Sequence, residues 1–518
     1  MADRLRYIHP EFRRRTFSLD DVILPPIKVP GLRENRDGSV THVPFEVGDV
    51  DISSPLTKRL KLKIPLLSSP MDTVTGSRMA ITIAQQGGLG VIHLNYSTLD
   101  DQRRAVEEVR REEAAFVEKP VVLGANSTVG DVYDAADQNG FFSYPVTQDG
   151  TLDTPLVGLV TRNMVRYKNK PEHRGTPLDQ VMLSREDVVV GRREDTLERR
   201  DVSAANRILK EHNVDTLVIV DKDDKVAALL TDRDLEKNER YPLATKDTNK
   251  QLIVWAAVNS RLDPARERIE MLAAAGASGI VIDSRNVFAD AIPIAKFVKE
   301  NFPDLDVMVG NIVHPRVMQL LLDHAGKFID ALRIGIGTGR VCKTSEELNI
   351  GGPMGSALLR IDEAYRAGKY EKRLGHIGRV ADGGIVYPGH FVVAAALGAD
   401  AVMQGTSLAG FDESPPEKRD VGQGRSVKKH RGMGSNSAKN ARVGGAGRYQ
   451  SGGVPVDLQW EEGTEIDIPY TGPAEPAVKK WWTGAKTIMH ALGAPDISTL
   501  YRDAWLDPVA KASSKGTL

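Results

Sequence analysis

VVAAALGADAVMQGT, residues 392–406, reads as the end of a helix, a glycine turn and a short apolar strand that stops at Gly405-Thr406. The same order recurs in IAQQGGLGVIHLN (83–95), MLAAAGASGIVIDS (271–284) and LLDHAGKFIDALRIGIG (321–337). Helix, tight turn and buried strand are the repeating parts of a parallel α/β fold, because a strand covered on both faces reads as an unbroken apolar run. KIPLLSSP (63–70), QLIVWAAV (251–258), DVMVGNIV (306–313) and GRVADGG (378–384) fit the same scheme. Together they make about eight strand candidates, in blocks at 63–95 and 251–406. Eight parallel strands predict an α/β fold of the (β/α)8 TIM-barrel type, with its chemistry at the carboxyl ends of the strands. A doubly wound sheet is the competing architecture, but the glycine fingerprint of a first dinucleotide-binding turn is missing.

The chain has 518 residues, a net charge of -1, 41% hydrophobic and 27% charged residues, and one cysteine. It can bury a large core, it has no global basic charge to grip nucleic acid, and it cannot form an internal disulfide. No apolar run is long enough to span a bilayer and the first residues lack an apolar signal core, so a cytoplasmic protein without a membrane partner is expected. The gap between the strand blocks looks like an insert. LVGLVTRNM (156–164) and VAALLTDRDL (226–235) align with a spacing of 70 residues between Thr161 and Thr231. Each follows a polar turn, an apolar strand and a helix, which reads as a paired β-α-β-β-α module. The predicted organisation is a barrel over 1–114 and 246–518, with the insert at 115–245.

Residues 411–473 form a third region. Between Val421 and Val456 there is no Asp or Glu, but seven Lys or Arg, with GMG, GGAG and SGG among them. A basic, glycine-rich excursion of this length is either a solvated loop or a flap over an anionic ligand. Beside it stand the candidate chemical groups. Cys342 follows a Gly-x-Gly-x-Gly turn at a strand end, and its neighbours Arg340 and Lys343 favour a thiolate. A lone cysteine is otherwise a small apolar filler. Asp382, with two glycines after it, suits a ribose diol, or alternatively a helix cap. Gly405 and Thr406 stand where a late barrel strand often binds phosphate. Asp283 and Asn311 are further strand-end polar groups. Converging on one face, these suggest a nucleotide substrate without naming the reaction. No zinc-like spacing appears among the eleven His.

Read in order, FSLDDVILPP (17–26), IPLLSSPMDTVTGSRMAI (64–81), GGLGVIHLN (87–95), GNIV (310–313), GIGTGRVCKT (335–344), DGGI (382–385) and RGMGS (431–435) resemble the IMP dehydrogenase / GMP reductase family. The insert resembles that family's pair of CBS modules. The resemblance implies NAD-dependent oxidation of IMP to XMP, in guanine nucleotide synthesis. Cys342 would be the nucleophile, Thr344 would sit near the catalytic water, and the Arg448-Tyr449 pair on the flap would activate that water. Ser69, Met71, Asp382, Gly384, Gly405, Thr406, Gly432, Met433, Gly434 and Glu462 match positions around the nucleotide. Asp283, Ser284, Asn311, Arg333 and Gly335 match the cofactor side, with Arg285 beside them. The carbonyls of Gly337, Gly339 and Cys342 match a K⁺ loop. Thr231 and Asp234 keep the Thr-x-x-Asp pattern of a regulatory purine-nucleotide pocket, whereas Thr161-Arg-Asn-Met lacks the acid. A homotetramer, or an octamer, is the expected assembly.

Several residues depart from the pattern. Arg340 replaces a phosphate-contacting Ser, His430 replaces an aromatic Tyr, and Arg285 enters the cofactor motif. GMP reductase is the first alternative reading; Arg448-Tyr449 speaks against it. A non-catalytic nucleotide sensor is the second; Cys342, Thr344 and the Arg-Tyr pair together speak against that.

Overall fold

The computed structural model describes residues 7–509, apart from 27, 36, 113–116, 119, 140, 167, 169, 199–201, 232–239, 285, 288 and 442–457. They pack as two compact units, one holding Leu243–Thr245 and Leu252 onward together with the chain up to Arg110, the other Arg111–Pro242 with Lys246–Gln251.

The first unit is a closed barrel of eight parallel strands. They are β1 Leu66–Ser68, β2 Leu89–Ile92, β3 Val254–Val258, β4 Gly279–Ile282, β5 Asp306–Ile312, β6 Ala331–Ile334, β7 Gly378–Asp382 and β8 Ala401–Gln404. Each pairs with the next, and β8 closes on β1 with Met403 opposite Leu67. The side chains alternate, as a pleated strand requires. Leu67, Leu89, Val91, Trp255, Val281, Met308, Val380 and Met403 fill the barrel interior. Ile92, Val254, Ala256, Ile280 and Ile282 point out, to a second apolar layer beneath the helices. Trp255 explains the glycine that opens β4: a Cβ at Gly279 would lie 2.4 Å from the indole.

The helices cover the barrel because they carry one apolar stripe. In Pro315–Ala325 the buried residues are Met318, Leu321, Leu322 and Ala325, one face at helical spacing. Pro388–Ala396 is apolar nearly all round and is covered in turn by Ala474–Ala491, with Phe391 and Trp481 ring to ring at 5.6 Å. Among the described residues no helix is long and apolar enough to cross a membrane.

The second unit holds two four-stranded sheets. One contains Tyr144–Thr147, Leu156–Val160 and the helix Val129–Asn139; the other contains Thr216–Val220, Val226–Thr231 and the helix Val202–His212. Each has a core of its own, and a third cluster with Leu159, Val218 and Leu229 joins them. Leu243–Thr245, which the sequence reading places in the insert, pack with the barrel instead: Thr245 N–H donates to Ala84 O at 2.8 Å.

The 411–473 excursion contains paired strands. β9 Ser426–Arg431 pairs antiparallel with β10 Glu465–Pro469, and Arg419–Asp420 pairs with the other edge of β9. Residues 442–457, at the centre of the excursion, lie outside the described residues.

Candidate active site

The loops at the carboxyl ends of the barrel strands enclose a cavity of about 370 Å³. The loop after β6 does most to shape it. Gly335 has φ 136°, and a Cβ there would lie 2.1 Å from Asp382 O, so only glycine lets this loop approach β7. The chain then turns, with Cys342 N–H donating to Gly339 O at 3.0 Å, and is stitched to the end of the excursion: Lys343 N–H donates to Glu462 O at 2.9 Å and Thr464 N–H to Val341 O at 3.0 Å. This brings together residues more than a hundred positions apart in sequence. The Cys342 thiol donates to Thr344 Oγ1 at 3.3 Å, and the Thr344 hydroxyl donates to Glu462 Oε2 at 3.2 Å. The result is a line of donors from a half-buried thiol to a buried carboxylate.

A second set of groups lies behind the first. Arg333, 1% exposed, holds Asp283 through Nη1 at 2.8 Å and Asp382 through Nε at 2.8 Å. Asn311 donates from Nδ2 to Gly335 O at 2.6 Å and to Asp382 Oδ2 at 2.9 Å. Both contacts with Asp382 use Oδ2, so Oδ1 is the oxygen left for a ligand. Asn311 Oδ1 is buried without a hydrogen-bond partner among the described residues, the kind of acceptor a bound group satisfies.

The cavity wall includes Ser69, Met71, Asn311, Arg333, Gly335, Gly337, Gly339, Arg340, Cys342, Thr344, Asp382, Gly384, Gly405, Thr406, Gly432, Met433, Gly434 and Glu462. Three expected residues stand behind the wall. Asp283 is fully buried against Arg333, and Ser284 donates to Gly310 O at 2.6 Å. His430 is buried between Thr73 and Thr406. Arg448, Tyr449, Arg285 and Asp234 lie outside the described residues. Thr231 ends a strand in the second unit.

The sequence reading missed Thr338, Gly383, Phe411 and Ile468, which also line the cavity. Thr338 and Gly383 sit inside motifs already singled out. Phe411 and Ile468 arrive through the β9–β10 pairing, which leaves no local signal. Also missed was the ion pair between Arg431 and Asp72 at 2.6 Å, which ties the excursion to the loop after β1. Burial holds the pKa of His430 down to about 4, opposed by Asp72 and helped by Arg340. Burial does the same to His93 beside Asp72, also to about 4.

Residues 39–517 match the IMP dehydrogenase / GMP reductase domain. The inosine-5'-monophosphate dehydrogenase of Toxoplasma gondii is 40% identical over 428 residues, 82% of this chain and 71% of that one. The enzyme of the same name from Schizosaccharomyces pombe is 38% identical over 503 residues, 93% and 89% of the two chains. Among solved structures, a variant GMP reductase of Trypanosoma brucei in complex with guanosine 5'-monophosphate superposes with a TM-score of 0.81 at 26% identity, covering 96% of each chain.

Proposed function

This chain belongs to the IMP dehydrogenase / GMP reductase family, and from that membership we propose that it oxidises IMP to XMP with NAD⁺, in guanine nucleotide synthesis. The observation that supports the reading best is the line from Cys342 through Thr344 to Glu462 on one wall of a nucleotide-sized cavity. The thiol passes its proton along that line and its sulfur adds to carbon 2 of the hypoxanthine ring. The carbon becomes tetrahedral and can release a hydride, so that one hard step becomes two easier ones. NAD⁺ supplies the hydride acceptor. Water then attacks the thioimidate left on Cys342, the carbon–sulfur bond breaks, and XMP leaves with the thiol restored. Arg448 and Tyr449 are the residues proposed to activate that water.

Asp382 Oδ1 would take the ribose diol, while Gly405, Thr406 and Arg340 face the phosphate. Met71, Met433 and Gly434 flank the base. Asn311, Arg333 and Gly335 would hold the nicotinamide end of NAD⁺, and the unpartnered Asn311 Oδ1 suits a carboxamide donor. Asp283 and Ser284 act from behind, by fixing Arg333 and the turn of β5. For K⁺, the carbonyls of Gly337, Gly339 and Cys342 would supply the oxygen donors that a hard cation prefers. The hydrogen bond from Cys342 N–H leaves the second lone pair of Gly339 O for it.

The second unit is proposed as a CBS pair that binds a purine nucleotide beside Thr231 and Asp234, in a cytoplasmic homotetramer. The GMP reductase reading is favoured by one observation, the likeness to the trypanosomal structure. A paired assay decides: IMP with NAD⁺ should yield NADH and XMP, while GMP with NADPH should give no NADPH consumption. The reverse result would overturn the dehydrogenase reading.

A further inference from the structure

His430 does not touch the cavity, yet it has a defined place behind it. Its ring is fully buried, with Nδ1 2.8 Å from Thr73 Oγ1 and Nε2 3.0 Å from Thr406 Oγ1. Thr73 Oγ1 also accepts the backbone N–H of Arg431 at 3.4 Å. Thr406 lines the cavity. A neutral imidazole has one donor and one acceptor nitrogen, so the two hydroxyls cannot be oriented independently. With Nδ1 as acceptor, the order is Arg431 N–H to Thr73, Thr73 O–H to Nδ1, and Nε2–H to Thr406. The proton of Thr406 is then free to point into the cavity. With the other tautomer, Thr406 spends its proton on Nε2 and turns lone pairs toward the ligand, which an anion opposes.

Resting on the dehydrogenase reading above, we propose that His430 is a positioning residue: it fixes the polarity of the Thr406 hydroxyl, making it a donor to the 5'-phosphate of the nucleotide. An anion beside Thr406 selects this tautomer, and Thr73 with the Arg431 backbone N–H accommodates it from behind. The imidazole stays neutral at physiological pH because it is buried, and because Arg340, which lines the same cavity, opposes a second positive charge there. Arg340 supplies charge to the phosphate, and the relay supplies a directed hydrogen bond. The ion pair of Arg431 with Asp72 keeps the backbone N–H at the head of the relay in place; Asn95 Nδ2 braces it, donating to Asp72 Oδ2 at 2.5 Å.

The test is equilibrium binding of IMP against inosine, and of GMP against guanosine, by the full chain without NAD⁺. The preference for the phosphorylated ligand should fall about tenfold in His430→Phe, the size expected for one hydrogen bond to a charged group. It should fall as far in Thr406→Val, and no further in the double variant, because one change removes the donor and the other the group that orients it, so both act on the same hydrogen bond. Nucleoside affinity should change less than twofold. Thr73→Val is nearly isosteric, lines no part of the cavity and removes the hydroxyl that faces Nδ1, so it covers the case in which His430→Phe fails to fold; it should lose several-fold in the same preference. An unchanged preference in His430→Phe or Thr73→Val, additive losses in the double variant, or equal losses for nucleotide and nucleoside would each overturn the proposal. A chain that binds IMP with this pattern but makes no NADH would overturn the reaction and leave the relay standing.

Discussion

Arg333 Nε and Asp382 Oδ2 meet at 2.8 Å, between neighbouring strands β6 and β7, and the same guanidinium holds fully buried Asp283 through Nη1. Replacing Arg333 with Leu strands Asp283 in a dry interior and leaves Asp382, on the cavity wall, without its cation. Removing one partner of a buried pair costs roughly 3–5 kcal/mol. Thermal unfolding should shift down by several degrees, and nucleotide binding should weaken because Asp382 loses its orientation. A melting temperature within a degree of wild type would show that the pair contributes little.

Cys342→Ala should abolish NADH formation from IMP, since the chain contains no other thiol. The variant should still bind IMP. Thr344→Val interrupts the line to Glu462 and should slow the reaction by roughly two to four orders of magnitude, the range of a lost general acid–base contact. Stopped-flow absorbance of NADH checks both.

Arg448→Ala should leave the hydride step largely intact and slow release of XMP. The expected trace is a burst of NADH followed by a slow steady state, as a trapped covalent intermediate gives. Loss of the burst would assign Arg448 to substrate binding instead.

His93 and His430 are both held near pKa 4 by burial, against an ordinary value of 6.5. Between these values the unfolded chain takes up protons that the folded chain refuses. Stability therefore falls as pH drops from about 6.5 toward 4, by up to ~3 kcal/mol for each imidazole. Asp72, whose pKa is lowered through its hydrogen bond and charge pairing with Arg431 despite burial, adds to the acid loss. Melting temperatures at pH 8, 6.5 and 5 check the trend, and His93→Gln should flatten it.

The second unit has its own cores, so a Gly/Ser linker in its place should leave an active barrel. The replacement must end at 242, because Thr245 bonds to Ala84 and Ile253 to Thr245. Activity should persist without purine-nucleotide regulation. Asp234→Ala in the full chain should weaken effector binding without changing the KM for IMP. An inactive linker chain would show that the barrel depends on the insert.

The barrel was legible because its strands are buried on both faces, and burial writes itself into sequence as runs such as GIVI and VWAAV. Cys342, Asp382 and Thr406 were legible because glycines mark the turns that carry them. β9 was not: SVKKHR is polar, and its partner EIDIP arrives only after a long interval, so nothing local announces the pairing. The contacts of Arg333 with Asp283 and of His430 with Thr73 and Thr406 were illegible for the same reason. Whether a charged or polar group faces a ligand, braces one that does, or does both depends on contacts between loops far apart in the chain.

The closure of β8 on β1 has a cost during synthesis. β1 leaves the ribosome early, with one edge matched to β2 and the other bare until β8 emerges. β2 waits likewise for β3 while the whole insert is made. The nascent chain thus carries two unsatisfied strand edges over most of its translation, and such edges invite pairing with other chains. The short lengths of β1 and β2, three and four residues, limit what a stray strand could grip. A stalled chain that ends before Ala401 would keep the bare edge of β1, and should be recovered as aggregate or bound to a chaperone rather than as a smaller barrel.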